Sequence, residues 1–331
     1  MANISNKAQQ MPASAIRKLV PFADAAKKEG VKVYHLNLGQ PDIKSPECAL
    51  DAIRNYSAVN ISYSHSGGLM ELRKGLVEKY YRKIGIDINV DELIVTVAGS
   101  ESVNLALEIA CDPGDEVLVL EPFYTNYNTF AFTNKLTLKA IATDIRNGFQ
   151  IPPIEEFEKA ITPKTKAILI CNPGNPTGTQ YSKESMLALG EIARKHDLFL
   201  LSDEVYREFC YTDEPHFSAM NIPGLEQNVI LIDSVSKRYN LCGARIGCIV
   251  SHNKDVMAAA MKFAQARLCA PVLGQMAAIG ALDTPDCYFD AVKEEYIRRR
   301  DYMIERLNQM EGVFTPLPMG AFYTIAELPV D

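Results

Sequence analysis

The chain has 331 residues, of which 47% are hydrophobic and 23% charged, as in an ordinary globular protein with two domains or one large α/β domain. Its formal net charge of -7 argues against nucleic acid and anionic membrane surfaces as partners. No apolar run reaches the roughly 20 residues of a membrane span, and the N-terminus lacks an apolar signal core. The spacing of the cysteines and histidines indicates no metal site. We therefore expect a cytoplasmic protein without a structural metal.

Short apolar runs alternate with helical patterns along the chain. Because the runs are apolar throughout, each strand is expected to be buried on both faces, as in a parallel sheet. Helical patterns over 102–110 and 182–195 separate some of the runs, and the short gap 233–245 could place an antiparallel strand in the same sheet. The sequence thus predicts an α/β protein with three layers, α/β/α, around a mostly parallel central sheet. The predicted strands are 93–97, 117–120, 167–170, 198–202, 229–232 and 246–250.

A long amphipathic helix is predicted over 288–310, with Gly312 as the signal that ends it. The residues that follow, PLPMGAFYTIAELPVD, begin a new β-like segment. A domain that has only begun a strand cannot close its own core. We therefore expect a small α/β domain that is truncated here and continues beyond residue 331.

The segment DSVSKRYNLCGARIG, 233–247, places Lys237 in a loop just beyond an apolar strand. Most lysines are solvated surface residues, but the neighbours of Lys237 favour a different interpretation. Ser234 and Ser236 supply hydroxyls, and Arg245 supplies a forked cation. A lysine, hydroxyls and an arginine can together bind an aldehyde cofactor that also carries a phosphate.

Asp203, in LFLLSDEVY, lies at the C-terminal end of a predicted strand, where open α/β sheets bind their ligands. One interpretation is that it caps a following helix. The other is that its carboxylate faces a heterocyclic nitrogen, where it would favour the protonated ring and make that ring an electron sink. Tyr206, three residues later, could direct its hydroxyl to the same ring.

Two further segments follow predicted strands. CNPGNPTG, 171–178, is an irregular turn that would place the amide of Asn175 at the mouth of the site, although it could be a turn and nothing more. VTVAGSES, 95–102, reads as a strand, a glycine and a helix start, so the backbone N–H groups of Ser100 and Glu101 would suit a phosphate. Because neither a Walker loop nor GxGxxG is present, a nucleotide site is not indicated.

Seven motifs, in order and at similar spacing, extend over nearly the whole chain. With them the chain resembles the fold-type I enzymes that use pyridoxal 5′-phosphate (PLP), specifically the class I/II aminotransferases of the aspartate aminotransferase type. The motifs are LNLGQPD (36–42), YSHSGGLMELR (63–73), AGSES (98–102), EPFYTNY (121–127), NPGNPTG (172–178), SDEVY (202–206) and SVSKRYNLCGARIG (234–247).

The resemblance implies a role for each matching residue. Lys237 matches the lysine that forms a Schiff base with PLP and then moves the proton in catalysis. Asp203 matches the partner of the pyridine nitrogen, and Tyr206 and Asn175 match the groups that hydrogen-bond the ring O3′. Tyr124 matches the aromatic residue that stacks on the ring. The phosphate would be bound by Gly99, Ser100, Glu101, Ser234 and Arg245, and by Tyr63 from the neighbouring subunit.

The resemblance also implies substrate contacts. Gly39 matches a glycine whose backbone approaches the substrate carboxylate, and Ser14 matches a serine near the distal end of the substrate. Asn175 is also expected to bind the substrate. Aspartate-type relatives often carry lysine at the position of Ser100, so the aspartate-like assignment is supported by Ser14 alone. The arginine that binds the α-carboxylate matches neither Arg267 nor the arginines at 298–300, and it is expected beyond residue 331.

By the same resemblance, residues 1–45 form an N-terminal arm and part of the small domain, 46–287 the large PLP-binding domain, and 288–331 a linker helix and the start of the C-terminal small domain. A homodimer with shared active sites is implied. The expected reaction moves an amino group from an L-amino acid, aspartate or a similar donor, to a 2-oxo acid, 2-oxoglutarate, by a ping-pong mechanism. A PLP-dependent β-C–S lyase stays open, because it would use the same lysine and aspartate.

Overall fold

The structure, a computed structural model, describes residues 2–14 and 16–330. Seven strands form its central sheet: β1 (Leu93–Thr96), β2 (Glu116–Glu121), β3 (Thr137–Ala142), β4 (Thr165–Cys171), β5 (Phe199–Asp203), β6 (Val229–Ser234) and β7 (Gly247–Val250). Their order is β1-β7-β6-β5-β4-β2-β3. Strands β2 to β6 pair in parallel, whereas β7 runs antiparallel to both of its neighbours. The mostly parallel sheet is confirmed, and the antiparallel strand follows the gap 233–245.

Both faces of the central strands are buried. Successive residues of a strand point to opposite faces, so Leu118, Ile168 and Leu200 pack into one hydrophobic core while Leu169 and Leu201, one residue further on, pack into a second. This two-sided burial is why the strands are apolar throughout rather than alternating. The predicted three-layer α/β/α fold is confirmed.

Helices cover the two faces of the sheet. The described residues contain twelve α-helices: α1 (Asn6–Gln10), α2 (Val20–Lys28), α3 (Glu47–Arg54), α4 (Met70–Gly75), α5 (Ala98–Ala110), α6 (Asn126–Asn134), α7 (Ile154–Ala160), α8 (Lys183–Lys195), α9 (Val235–Arg238), α10 (Lys254–Arg267), α11 (Val272–Ala281) and α12 (Asp286–Asn308). α8 and α11 contribute to the first core, and α5 and α10 to the second. A π-helical segment, Leu76–Tyr81, directly continues α4.

Some element boundaries differ from the sequence-based expectation. β3 was not predicted, because it lies at the edge of the sheet and only Ile141 in it is buried, which leaves no apolar run. α5 begins at Ala98, four residues before the predicted start. α8 begins one residue after Ser182, whose hydroxyl caps it by accepting from the Ser185 N–H at 3.1 Å. α12 agrees with the predicted long helix to within two residues at each end.

The segment after α12 packs against the turn that follows β5, and its described residues form isolated β-bridges rather than a regular strand. Gly320 pairs with Cys210 in an isolated antiparallel bridge, and the Ala321 N–H donates to the Phe209 carbonyl at 2.8 Å. These bonds place Phe322 and Tyr323 beside the turn that follows β5. None of the helices within residues 2–14 and 16–330 is long and apolar enough to cross a membrane.

Candidate active site

The predicted site residues converge at one edge of the sheet. Because β4, β5 and β6 are parallel neighbours, their C-terminal residues lie side by side there. Asp203 ends β5, Ser234 ends β6, and Asn172 follows β4, where its N–H donates to the Asp203 carbonyl at 2.9 Å. β7 begins at the same edge with Gly247. The strand topology thus brings together motifs that lie far apart in the sequence.

The Asp203 carboxylate is buried, with only 7% of the residue exposed. It accepts hydrogen bonds from the Tyr127 hydroxyl at 2.8 Å and from the Val205 N–H at 3.4 Å. Burial raises the pKa of Asp203 to about 6, although the Tyr127 hydrogen bond acts in the opposite direction. Within residues 2–14 and 16–330 no cationic side chain forms a salt bridge with it. An added N–H donor carrying positive charge would therefore be strongly stabilised there.

This raised pKa predicts how the stability of the cofactor-free protein depends on pH. The pKa is about 6 in the folded state and 3.8 in the unfolded state, so the folded state binds more protons between these values. Stability from this group is therefore present below pH 4 and is lost as pH rises to 6. Across this pH range the group lowers the free energy of unfolding by about 2–3 kcal/mol, and we expect Asp203→Asn to remove that decrease. Urea unfolding of the wild type and of Asp203→Asn at pH 4.5 and pH 7 measures this difference. An equal change in the free energy of unfolding in the two proteins would contradict the expectation.

Lys237 lies on α9, a helix of four residues that Ser234 caps by accepting the Ser236 N–H at 3.1 Å. The Lys237 amine donates to the Gly39 carbonyl at 2.6 Å and lies 5.8 Å from the centre of the Tyr206 ring. Burial lowers the pKa of Lys237. A lowered pKa increases the neutral amine fraction, which is the form that acts as nucleophile and base.

Tyr206 and Tyr323 lie near the Lys237 amine and belong to a hydrogen-bonded chain of side chains. The Asn175 side-chain amide donates to the Tyr206 hydroxyl at 3.3 Å, and the Tyr206 and Tyr323 hydroxyls lie 2.7 Å apart. A Cβ atom at Gly39 would lie 1.9 Å from the Tyr323 hydroxyl, so glycine alone fits beneath that side chain. Burial raises the pKa of Tyr206 well above its usual value, so its hydroxyl keeps its proton and can donate it to an acceptor.

The residues expected to bind phosphate surround the start of α5. A Cβ atom at Gly247 would lie 2.5 Å from the Ala98 carbonyl carbon, so β7 begins directly against this helix start. Gly99 lies next to Ser234. Arg245 is exposed and adopts φ of 55°, which is uncommon for a residue with a side chain. Ser100 is also exposed, at the N-terminal turn of α5, and the N-terminus of a helix is suited to an anion.

The side chain of Glu101, and not only its backbone N–H, takes part in the structure at the start of α5. Its carboxylate accepts from the Val97 N–H at 2.5 Å and pairs with Arg267 at 2.8 Å. Arg267 also donates to the Val95 carbonyl at 2.9 Å. This arginine is therefore engaged in holding the start of α5, which agrees with the view that it is not the substrate-binding arginine.

The other predicted residues lie in different surroundings. Tyr124 packs edge-on against Tyr127, with ring centres 5.4 Å apart. Since the Tyr127 hydroxyl donates to Asp203, this places Tyr124 near the same carboxylate. Tyr63 is 79% exposed. Ser14 accepts from the Arg17 N–H at 3.3 Å, a local contact that does not place it at the site. The structure thus brings most predicted residues together, and the roles assigned to all of them stay predictions.

Comparison with known proteins agrees with this arrangement. Residues 31–331 match the family described as aminotransferase class I and II. The chain belongs to this family. The aspartate/prephenate aminotransferase of Thermus thermophilus is 32% identical over 331 residues, which cover 99% of this chain and 85% of that protein. The aspartate aminotransferase of Thermotoga maritima is 31% identical, with coverage of 99% and 86%.

A solved structure shows the same fold. The alanine aminotransferase from Pyrococcus furiosus superimposes with a TM-score of 0.93 at 33% identity, covering 99% of this aminotransferase and 85% of that chain. The family depends on PLP, and this chain is a PLP-dependent aminotransferase.

The residues present in the aminotransferase fit PLP, which combines an aldehyde, a ring nitrogen, a phenolic oxygen and a phosphate. Lys237 offers a half-buried amine for the aldehyde, and Asp203 offers a buried carboxylate for the ring nitrogen. The Tyr206 hydroxyl, with Asn175 beside it, offers a hydrogen-bond donor for the phenolic oxygen. Arg245 donates from Nη1 to the Cys242 carbonyl at 3.1 Å and forms no salt bridge among the described residues, so its cation can serve the phosphate.

Two residues of this site were missed by the sequence analysis. Tyr127 hydrogen-bonds Asp203 from α6, 76 residues away in the chain, and Tyr323 contacts Tyr206 from 117 residues away. Tyr127 ends the EPFYTNY motif, so the motif marked the place without indicating which tyrosine points at the carboxylate. No local pattern indicates that Tyr323 folds back, because that contact depends on the bridge at Gly320.

Proposed function

We propose that this aminotransferase transfers the amino group of an L-amino acid, aspartate or a close analogue, to 2-oxoglutarate in two half-reactions. The observation that carries the proposal is the Lys237 amine, which is half-buried and lies 5.8 Å from the centre of the Tyr206 ring, in a site that also contains the buried Asp203 carboxylate. The donor is suggested by the relatives named aspartate/prephenate aminotransferase and aspartate aminotransferase. Ser14 is kept as the predicted contact near the distal end of the substrate.

The residues of the chain divide the chemical work. Bound PLP would supply an aldehyde for the amine of the substrate and a ring that accepts electrons from its α-carbon. The Asp203 carboxylate would hold a proton on the ring nitrogen by its charge. Lys237 would take the α-proton and return it on the other side of the transferred nitrogen, acting first as base and then as acid. Gly39 and Asn175 would orient the substrate.

The phosphate would be held by charge and by backbone donors. Arg245 would provide a bidentate cation, and Gly99 and Ser100 would provide N–H groups at the start of α5. Ser234, which caps α9, would add a hydroxyl while it fixes the helix that carries Lys237. These contacts would hold the cofactor at its phosphate end independently of Lys237.

Visible spectroscopy with single substrates tests the reaction. The absorption band of the bound cofactor is expected to disappear when aspartate is added and to return on addition of 2-oxoglutarate, with alanine and cysteine as comparison donors. Covalent exchange also predicts parallel lines in double-reciprocal initial-velocity plots. Intersecting lines would contradict the ping-pong scheme. Release of ammonia without any 2-oxo acid would indicate the lyase reaction instead.

We also propose a homodimer in which Tyr63 reaches the phosphate of the neighbouring subunit. The segment around it exposes several apolar side chains, with Val59 at 98%, Ile61 at 64% and Met70 at 48% exposed. An apolar surface of this kind is typical of an interface. Light scattering over a range of concentrations should give twice the chain mass, and an active monomer would refute the shared site.

A further inference from the structure

A buried arginine follows the reactive lysine directly. Arg238 is 2% exposed. Its Nη2 donates to the Asp233 carboxylate at 2.6 Å and its Nε to the Glu208 carboxylate at 3.0 Å. Its guanidinium carbon lies 3.4 Å from the centre of the Tyr80 ring. One side chain from α9 is thus bound by β6, by the turn after β5 and by the π-helical segment.

One of these carboxylates, Asp233, also contacts the segment that carries Asp203 and Tyr206. Arg207 pairs with Glu204 at 2.7 Å and approaches the oxygen of Asp233 that also binds Arg238, at 3.6 Å. The side chains of Arg207 and Asp233 are 4% and 1% exposed. Asp233 therefore connects two arginines, one on the helix of the lysine and one on the turn 204–209.

Stability alone is a poor explanation for this cluster. Burying charges is costly, and apolar side chains of similar size commonly stabilise a protein as well or better. Although burial by itself would lower it, Asp233 and Glu208 keep the pKa of Arg238 well above its usual value, so the guanidinium is charged. What directional ion pairs provide, and apolar contacts do not, is a fixed orientation.

The helix that carries Lys237 needs such an orientation. α9 has four residues, too few for a helix to be stable without tertiary contacts. Its first end is fixed by the Ser234 cap, and its last residue is Arg238. Lys237 lies between these two anchors.

We propose that Arg238 is a positioning residue, which fixes α9 against β6 and the turn 204–209 and thereby sets where the Lys237 amine lies relative to Asp203 and Tyr206. The inference rests on the role proposed above for Lys237. Loss of the anchor would let α9 move and water reach the amine.

The reactivity of Lys237 in the cofactor-free protein reports this position. Trace labelling with acetic anhydride across pH, followed by mass spectrometry of the Lys237 peptide, gives the midpoint at which the amine becomes neutral. The charged or titratable groups around the amine are Asp203, Arg245, Cys171, Cys242, Tyr206 and Tyr323. In Arg238→Met we expect that midpoint to rise by about one pH unit, because the amine becomes hydrated. In the loaded enzyme kcat should fall about 10²-fold with KM little changed.

Three variants separate position from charge and from general damage. Arg238→Met combined with Glu208→Gln removes one charge of each sign, so the net charge of the cluster is kept, and it should shift the midpoint as Arg238→Met does. Arg238→Lys keeps the cation but cannot bridge two carboxylates with a planar fork, so it should not restore the wild-type midpoint. Arg73→Met removes another buried arginine, 4% exposed and bound to the Leu93 carbonyl, and should leave the midpoint unchanged.

The outcomes decide the proposal. It is overturned if the double variant labels like the wild type, if Arg238→Lys restores the wild-type midpoint, or if Arg73→Met shifts the midpoint equally. Arg238→Met alone leaves the Glu208 carboxylate without its arginine and could fail to fold for that reason. The double variant removes that carboxylate as well, so it tests the proposal even in that case. The labelling needs neither PLP nor substrate, so failure of the proposed donor to react would leave its answer intact.

Discussion

Replacing Lys237 with alanine is expected to lower kcat by about 10²–10⁴-fold or more, because one amine acts as both base and acid. In the structure it is the lysine whose amine lies beside Gly39 and within 5.8 Å of the Tyr206 ring. The cofactor is expected to bind still, because Asp203 and Arg245 are untouched. Steady-state kinetics with added PLP measure the loss, and equilibrium dialysis measures the remaining affinity.

Two controls accompany this variant. Lys262→Ala removes an exposed lysine on α10 and should keep full activity, which excludes a general effect of losing a lysine. Methylamine added to the Lys237→Ala protein should restore part of the proton transfer, since the missing group is itself a primary amine. Retention of more than about one per cent of kcat without any added amine would remove Lys237 from its proposed role.

The sequence predicted the parts of the site that depend on where strands end. Asp203, Asn175 and Ser234 follow apolar runs, and parallel strands bring their C-terminal ends to one edge, so their proximity follows from the strand pattern. The bounds of α8 agree closely with the predicted helix 182–195, and Ser182 is a favourable N-cap for it. β3 was not, since an exposed edge strand need not form an apolar run.

The parts that could not be predicted depend on contacts between distant residues. The Tyr127 hydroxyl reaches Asp203 because α6 packs on the second core of the sheet, and neither residue carries a local sign of the other. Arg238 is a similar case. An arginine after a lysine in a polar loop suggests solvent exposure, and only the fold shows that two carboxylates and a tyrosine ring enclose it.

Asp203→Asn is expected to slow the chemical step far more than it weakens PLP binding. The asparagine side chain has nearly the same shape and can still accept from the Tyr127 hydroxyl, but it has no charge to hold a proton on a ring nitrogen. Loss of one preorganised electrostatic partner commonly costs about 10²–10³-fold in kcat. Single-turnover decay of the cofactor band with aspartate measures the step, and titration of the cofactor-free protein with PLP measures the binding.

Comparison with Asp203→Glu separates charge from geometry at the same position. Glutamate keeps the charge but extends further into a site where Tyr127 and Val205 already fix the shorter carboxylate. If charge is decisive, Asp203→Glu retains more of the single-turnover rate than Asp203→Asn, despite its worse fit. An unchanged single-turnover rate in Asp203→Asn would mean that the carboxylate only shapes the site. In that case the raised pKa of Asp203 would reflect its burial and have no part in the reaction.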